Sequence, residues 1–322
     1  MSFFLTFLIF IYISCNNIEE NQDNKNDINI KKSNLIKEKS QRKLEENEQE
    51  FGSINITYDI SCLKNIDNSD EYKEFFILIE NSLEKVSKTL SKLVKVRKIS
   101  RNIQINSDLE IKINETKCYD ALKEKKYNSD LVIIIKRGTL PYNIFGKPDI
   151  LKSEENLVDK GRPIIGIISF NLAYYLFDSI PNEYKEDLLS IIFLHESTHI
   201  LGFKKSIFLD KQMLGTTTSA RINNKGKEKL IIKSPKVLNI SSIYFNCSQI
   251  TGIELDNETL NEGPEYLHWE GRILLGDYMS SDFYFQEQVI SEITLALLED
   301  LGWYKVKYFT GGLASNLMNI LF

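Results

Sequence analysis

Residues 195–199 of the chain read HESTH, so that His195 and His199 stand four positions apart with Glu196 between them. In an α-helix, residues four apart lie one turn apart on the same face, and both imidazoles can reach one Zn²⁺ at about 2.0–2.1 Å. Glu196 can hold its carboxylate beside a metal-bound water without binding the metal itself. The alternative, a helix with two ordinary core histidines, would bury two imidazoles without evident polar partners, which is costly. The motif therefore predicts a metal site with Glu196 as its general base.

The residues around this motif predict a long helix. Asn182 can cap its beginning, and Gly202 can end it in the left-handed conformation. Leu188, Ile192 and the two histidines recur at spacings of four, three and four. We therefore expect both histidines on the face of the helix that points to the core.

The histidine content of the chain suggests the remaining ligand. A catalytic zinc usually has three protein ligands and one open position for water. The chain has three histidines, and the last, His268, follows His199 by 69 residues. We therefore expect His195, His199 and His268 to hold one catalytic Zn²⁺. A structural zinc would need a fourth protein ligand, and Cys247 is the nearest candidate.

Apolar periodicity predicts the elements that precede the zinc helix. An apolar stripe with a 3.6-residue period predicts another long helix. The stripe consists of Tyr72, Phe75, Phe76, Ile79, Leu83, Val86, Leu90 and Leu93. Alternating or continuous apolar runs predict strands at residues 55–60, 102–105, 131–136 and 163–170. Pro141 and Pro148 restrict any strand within residues 139–149 to a sheet edge, because proline has no amide hydrogen. We expect an extended peptide to pair with residues 139–145 of this edge.

Composition and charge narrow the partners and the compartment. With 40 Lys and Arg against 45 Asp and Glu, the net charge is −5, so nucleic acid is not a predicted partner. No apolar run reaches the roughly 18–20 residues of a membrane-spanning helix. Residues 3–14 have the length of the apolar region of a signal peptide, which predicts entry into the secretory pathway and an extracellular or cell-surface location. Attachment to a membrane stays open, since the tail carries no clear lipid-anchor signal.

The domain organisation follows from these segments. We assign residues 1–15 to the signal peptide and residues 16–50, rich in Asn, Lys, Glu and Asp, to a disordered pro-segment or leader. Residues 51–202 form the predicted N-terminal subdomain, which ends with the HExxH helix. Residues 203–308 form a C-terminal subdomain that contains His268, and residues 309–322 form a tail.

Three cysteines follow the predicted signal peptide: Cys62, Cys118 and Cys247. An odd number allows one disulfide with one leftover thiol, or a bond to another chain. We expect Cys62 to pair with Cys118.

Several segments resemble the leishmanolysin metalloproteases, a branch of the metzincins in which a long insertion separates the second and third histidine ligands. The likeness extends over residues 53–308. Its motifs are GRPIIG at 161–166, HESTHILGF at 195–203, YFNC at 244–247, GIEL at 252–255, HWE at 268–270, GDYM at 276–279 and LALLEDLGWY at 295–304.

The resemblance implies an α+β fold of the zincin and metzincin type. Its N-terminal subdomain would combine a twisted mixed β-sheet with two long helices, and its C-terminal subdomain would be smaller and mostly irregular or helical. The implied activity is that of a zinc endopeptidase that cleaves proteins or peptides. His195, His199 and His268 would bind the zinc, and Glu196 would activate a zinc-bound water as the nucleophile. Residues 276–279 would form a methionine turn, in which Met279 is the hydrophobic floor beneath the metal. The alternative is a secreted or surface binding or adhesion protein that keeps this fold without turnover.

The chain differs from the family before the third histidine. Residues 256–264 read DNETLNEGP, where the family is usually glycine-rich. Loss of glycine restricts the backbone, so this loop limits how His268 can approach the metal.

Overall fold

The computed structural model describes residues 51–66, 72–141, 144–172, 182–218, 228–256, 267–280, 288–308 and 315–316. The predicted signal peptide and leader, and nearly all of the predicted tail, lie outside these ranges. The described helices are α1 (Ser61–Ile66), α2 (Lys73–Leu93), α3 (Glu110–Ile113), α4 (Thr116–Leu122), α5 (Asn182–Leu201), α6 (Lys205–Asp210), α7 (Pro235–Tyr244) and α8 (Glu292–Asp300), with a 3₁₀ turn at Ser107–Leu109. The described strands are β1 (Phe51–Ser53), β2 (Ile56–Asp59), β3 (Val94–Arg97), β4 (Ile103–Gln104), β5 (Lys126–Tyr127), β6 (Leu131–Arg137), β7 (Gly146–Ser153), β8 (Pro163–Phe170), β9 (Leu214–Thr218), β10 (Glu228–Ile232), β11 (Ile253–Glu254), β12 (Val289–Ile290), β13 (Tyr304–Val306) and β14 (Ser315–Asn316). The fold is therefore of mixed α and β type, as predicted.

The largest sheet has four strands in the order β2-β6-β8-β7. The strands β2, β6 and β8 are parallel, and β7 runs antiparallel to β8 at the edge. Pro148 lies within β7, as an edge position allows. The predicted position of the edge strand was only partly correct, because β7 begins at Gly146 and continues to Ser153. The apolar pattern of β7 is too weak to fix these bounds from sequence.

Each face of this sheet packs against a different apolar cluster. On one face, Leu131, Ile133 and Ile135 join the large core that contains the long helices α2 and α5. On the other face, Val132 and Ile134 join a smaller cluster with the Cys62–Cys118 disulfide, whose Cα atoms are 4.5 Å apart. Burial on both faces explains the continuous apolar run of β6, and the predicted disulfide is confirmed.

The long helices α2 and α5 contact each other across the large core. The buried side chains of α2 follow the predicted stripe. The prediction for α5 was incomplete, because residues 192–200 are all buried, not only those on one face. A helix that other elements cover on several sides has no solvent-facing stripe. The two histidines are therefore fixed inside the protein.

The C-terminal part contains more β-structure than predicted. An antiparallel sheet in the order β11-β10-β9 follows α5 in the chain. Near the end of the described chain, β13 returns to pair with β3, which also pairs with β1. These pairings depend on partners distant in sequence, so local patterns did not reveal them. The division into two subdomains stays a prediction.

Two glycines let α5 pack as it does. A Cβ atom at Gly166 on β8 would lie 2.6 Å from the Ile200 side chain, so the strand can approach the helix only without a side chain at this position. Gly202, directly after the helix, has a φ of +131°. A Cβ atom there would also lie 2.7 Å from Leu301. Gly202 therefore serves both the turn of the chain and the contact with the residues after α8.

We expect Gly202→Ala to destabilise the protein more than Gly302→Ala does. Both glycines have positive φ, which costs alanine about 1–2 kcal/mol, but a Cβ atom at Gly302 would meet nothing within 4 Å. The crowding at Gly202 should add about 1–3 kcal/mol to the loss in free energy of unfolding. Urea denaturation of both variants, with chelator present to exclude metal effects, measures the difference. Equal losses would show that the contact with Leu301 carries no cost.

Candidate metal centre

Three imidazole nitrogens meet between α5 and the segment that contains His268. The Nε2 atoms of His195 and His199 are 3.0 Å apart, and they lie 3.1 and 3.3 Å from Nε2 of His268. Two nitrogens bound to a tetrahedral zinc at about 2.0–2.1 Å lie about 3.3–3.4 Å apart. The triangle therefore has nearly the size that three ligands of one zinc ion require.

The other ring nitrogen defines the tautomer of two of these histidines. Nδ1 of His195 is 2.7 Å from the carbonyl oxygen of Tyr278, and Nδ1 of His199 is 2.8 Å from that of Phe203. A carbonyl oxygen can only accept, so each Nδ1 carries the proton, and the neutral ring keeps a lone pair on Nε2. Lone pairs that face one another at this distance repel, and a shared cation removes that repulsion. The donor set and its orientation fit a zinc ion.

Burial favours the neutral form of all three rings. It lowers the pKa of His195 to about 4. Burial and the neighbouring His195 together lower the pKa of His268 to about 3. The pKa of His199 is also well below its usual value, first through burial and then through the other two histidines. Metal binding needs neutral imidazole, so the environment keeps the ligands ready near neutral pH.

Backbone pairing on two sides holds the segment of His268. The carbonyl of His268 accepts from the amide of Asp256, and the amide of Glu270 donates to the carbonyl of Glu254. On the other side, the amide of Trp269 donates to the carbonyl of Met279 at 2.9 Å. The third histidine thus projects from a short β-like segment between the end of β11 and the predicted methionine turn.

The predicted methionine turn is a buried, hydrogen-bonded loop. Asp277 accepts from the amide of Met279 at 2.7 Å and from that of Ser291 at 3.2 Å. The side chain of Met279 is fully buried. The hydroxyl of Tyr278 donates to Thr198, whose own hydroxyl hydrogen goes to the carbonyl of Leu194. Tyr278 therefore has a structural bond within the core.

Glu196 is buried on α5 and lies against the edge strand. A Cβ atom at Gly146 would be 2.9 Å from Oε1 of Glu196 and 3.0 Å from its Cγ and Cδ atoms. Burial raises the pKa of Glu196 to about 8. Cys247, the alternative zinc ligand, does not belong to the histidine cluster; it is disulfide-bonded, and so it is not a leftover thiol.

Sequence reasoning missed the groups that support these residues. Ser197 contacts the hydroxyl of Tyr58 on β2 at 2.8 Å. The carbonyls of Phe203 and Tyr278 orient two of the histidines, as described above. Every residue has a backbone carbonyl, so no sequence motif could have identified these two groups.

Three histidines, two of them on an HExxH helix, form a group that could hold one metal ion. The model of the leishmanolysin family matches residues 60–314 of the chain. The chain therefore belongs to the leishmanolysin family, whose members are zinc-dependent metalloproteases.

Curated relatives agree with this family. A leishmanolysin-like peptidase of Drosophila pseudoobscura pseudoobscura is 27% identical over 197 residues, which cover 60% of this chain and 28% of the relative. One of Caenorhabditis elegans is 39% identical over 185 residues, covering 47% of this chain and 27% of the relative. The ciliated left-right organizer metallopeptidase of Danio rerio is 32% identical over 124 residues, covering 36% and 19%. The chain spans less than a third of the length of these relatives. Among its described helices, none has the length and apolar character needed to cross a membrane.

We expect the purified chain to bind one zinc ion and to lose it when His268 is replaced. At a free zinc concentration of 100 Kd, binding should raise the free energy of unfolding by about 2.7 kcal/mol. His268→Ala removes one of three ligands and should weaken zinc binding by more than the 10- to 100-fold typical of an outer-sphere change. Competition with a chromophoric chelator measures the affinity. A His268→Ala variant that binds zinc as tightly as the parent would show that His268 is not a ligand.

Proposed function

We propose that this chain is a zinc-dependent endopeptidase that hydrolyses peptide bonds in proteins. The observation that carries the proposal is the convergence of the Nε2 atoms of His195, His199 and His268 within 3.3 Å, with Glu196 on the helix that carries the first two. Three histidine ligands leave a fourth position for catalysis. Family membership and the peptidase names of the relatives support the same reaction class.

Glu196 is the general base of the proposed mechanism. His195, His199 and His268 would hold a zinc ion, which would supply a Lewis acid for the scissile carbonyl and would make a water molecule more acidic. The Glu196 carboxylate accepts a proton from the attacking water and then donates it to the leaving amine. Burial alone raises the pKa of Glu196, while a neighbouring cation lowers it. These opposed influences suit a group that must both take up and release a proton near neutral pH.

The substrate would bind along β7. This strand forms the edge of the four-stranded sheet, and its first residue, Gly146, lies against Glu196. An extended peptide that adds to this edge places its backbone beside the general base. We therefore shift the proposed peptide-binding edge from residues 139–145 to the strand that begins at Gly146.

The finer architecture that we propose is that of a metzincin. Met279 would form the hydrophobic floor of the metal site, a role supported by its full burial and by its backbone bonds to Asp277 and Trp269. Residues 51–202 would form the N-terminal subdomain and residues 203–308 the C-terminal one.

We also propose that the protein acts in the secretory pathway, outside the cell or at its surface. The Cys62–Cys118 disulfide supports this location, because such bonds persist in oxidising compartments. The natural partners would be protein or peptide substrates.

We expect Glu196→Gln to abolish cleavage but not zinc binding. The amide has the shape of the carboxyl group but cannot accept the proton, so kcat should fall by roughly 10²–10⁴-fold. The measurement is cleavage of casein by the purified parent and variant, with zinc content determined in both. If the parent holds one zinc and cuts nothing, the alternative of a binding or adhesion protein without turnover gains support. If the variant cuts as well as the parent, Glu196 is not the base.

We expect Gly146→Val to lower kcat while zinc binding is kept. The new side chain would displace the Glu196 carboxylate from β7, and a small misplacement of a catalytic group can cost as much as about 100-fold in rate. The matched control is Lys147→Val, the exposed neighbour on the same strand. Equal kcat values for the two variants would show that the contact between Gly146 and Glu196 is not needed for catalysis.

A further inference from the structure

The segment of the third histidine is joined to the methionine turn by one side-chain hydroxyl, that of Thr294. The indole Nε1 of Trp269 donates to Oγ1 of Thr294 at 2.8 Å. Oγ1 of Thr294 in turn donates to Oδ2 of Asp277 at 2.9 Å. All three side chains are buried, with at most 2% of their surface exposed.

The chemistry of this chain of hydrogen bonds requires a hydroxyl in the middle. An indole N–H can only donate, and an ionised carboxylate can only accept. A group between them must therefore accept on one side and donate on the other, as a hydroxyl does. Valine has the shape of threonine but could do neither, whereas serine could do both.

The neighbours of this bridge connect it to all three histidines. Trp269 follows His268 directly, and its ring packs edge to face on Phe203, with ring centroids 5.2 Å apart. The carbonyl of Phe203 accepts from His199. Asp277 precedes Tyr278, whose carbonyl accepts from His195. The bridge thus joins the segments that orient the three imidazoles.

Thr294 is itself fixed by the beginning of α8. Ser291 caps this helix, and its hydroxyl oxygen accepts from the amide of Thr294 at 3.2 Å. The amide of Ser291 donates to Asp277. The hydroxyl of Thr294 therefore has a defined position set by a helix N-terminus, not by a mobile loop.

We propose that Thr294 is a positioning residue that holds His268 in place for metal binding by bridging Trp269 and Asp277. This inference rests on the proposed metal centre. Without the hydroxyl, the indole N–H loses its acceptor and Asp277 loses one donor, both in a buried environment where an unmade hydrogen bond is unfavourable. The segment of His268 then loses its side-chain connection to the turn beneath the metal, although its backbone bonds remain.

Thr294→Val should weaken zinc binding by about 10- to 100-fold, the range typical of outer partners of metal ligands. Thr294→Ser should bind zinc within about threefold of the parent, because it keeps the hydroxyl. The matched control is Thr89→Val on α2. Thr89 is equally buried, and its hydroxyl has no hydrogen-bond partner among the described residues. This control should leave the zinc affinity unchanged.

The experiment is chelator competition on the full chain, well below the unfolding temperature of each variant, with urea denaturation of the zinc-free proteins beside it. A purely structural role would lower the stability of the zinc-free protein and leave the zinc Kd of the folded protein unchanged. A parent that binds no zinc would refute the proposed metal centre. A parent that binds zinc no better than Thr294→Val, or no recovery in Thr294→Ser, would overturn the role of the hydroxyl.

A second variant keeps the test decisive if Thr294→Val does not fold. Trp269→Phe removes the indole donor from the other end of the same hydrogen bond and should also raise the zinc Kd. If Thr294→Val and Trp269→Phe both fold, the variant that combines them should lose no more zinc affinity than the weaker-binding single variant. The reason is that each of the three variants removes the same bridge. Fully additive losses would show that the two residues act independently and would overturn the proposal.

Discussion

The mutual approach of three neutral imidazoles is the constraint on which the rest of this structure depends. Their Nε2 atoms face one another at 3.0–3.3 Å, and two of them carry their proton on the opposite nitrogen. Such an arrangement is unfavourable in isolation, both because lone pairs repel and because buried polar atoms need partners. The fold maintains it through the carbonyls of Tyr278 and Phe203 and through the backbone bonds of the segment that contains His268. A zinc ion is the group whose charge, size and ligand preference turn this unfavourable contact into a favourable one.

The cost of this arrangement explains why the surroundings are so closely fitted. The helix α5 is covered along residues 192–200, and Gly166 lets β8 approach it more closely than any other residue would allow. A helix fixed in this way cannot rotate its histidines away from each other. The carbonyls of Phe203 and Tyr278 then set the orientation of two of the rings. Rigid secondary structure and hydrogen bonds to the histidine rings thus fix the positions of the imidazoles, as they fix the ligands of metal sites generally.

The sequence predicted the local elements better than the contacts between them. Helix α2 and the strands β6 and β8 have strong periodic or continuous apolar patterns, and the structure has them where these patterns occur. His195 and His199 could be found because a helical spacing of four is a local property, and His268 because it is the one remaining histidine of the chain. The start of β7 and the pairing of β13 with β3 could not, because both depend on partners far away in the chain. Thr294 had no signature either, since a buried threonine in a helix is ordinary until its neighbours are known.

The unusual loop before the third histidine shows how such distant contacts can replace a local one. Residues 256–264 contain one glycine where the family is usually glycine-rich, and the restricted backbone is expected to limit how His268 approaches the metal. In the structure, backbone bonds hold the segment of His268: its carbonyl accepts from the amide of Asp256, and the amide of Trp269 donates to the carbonyl of Met279. Glu270 adds a buried ion pair with Lys229 at 2.9 Å. The segment of His268 is thus held on both sides by backbone bonds and anchored by this ion pair, and none of these contacts involves a glycine.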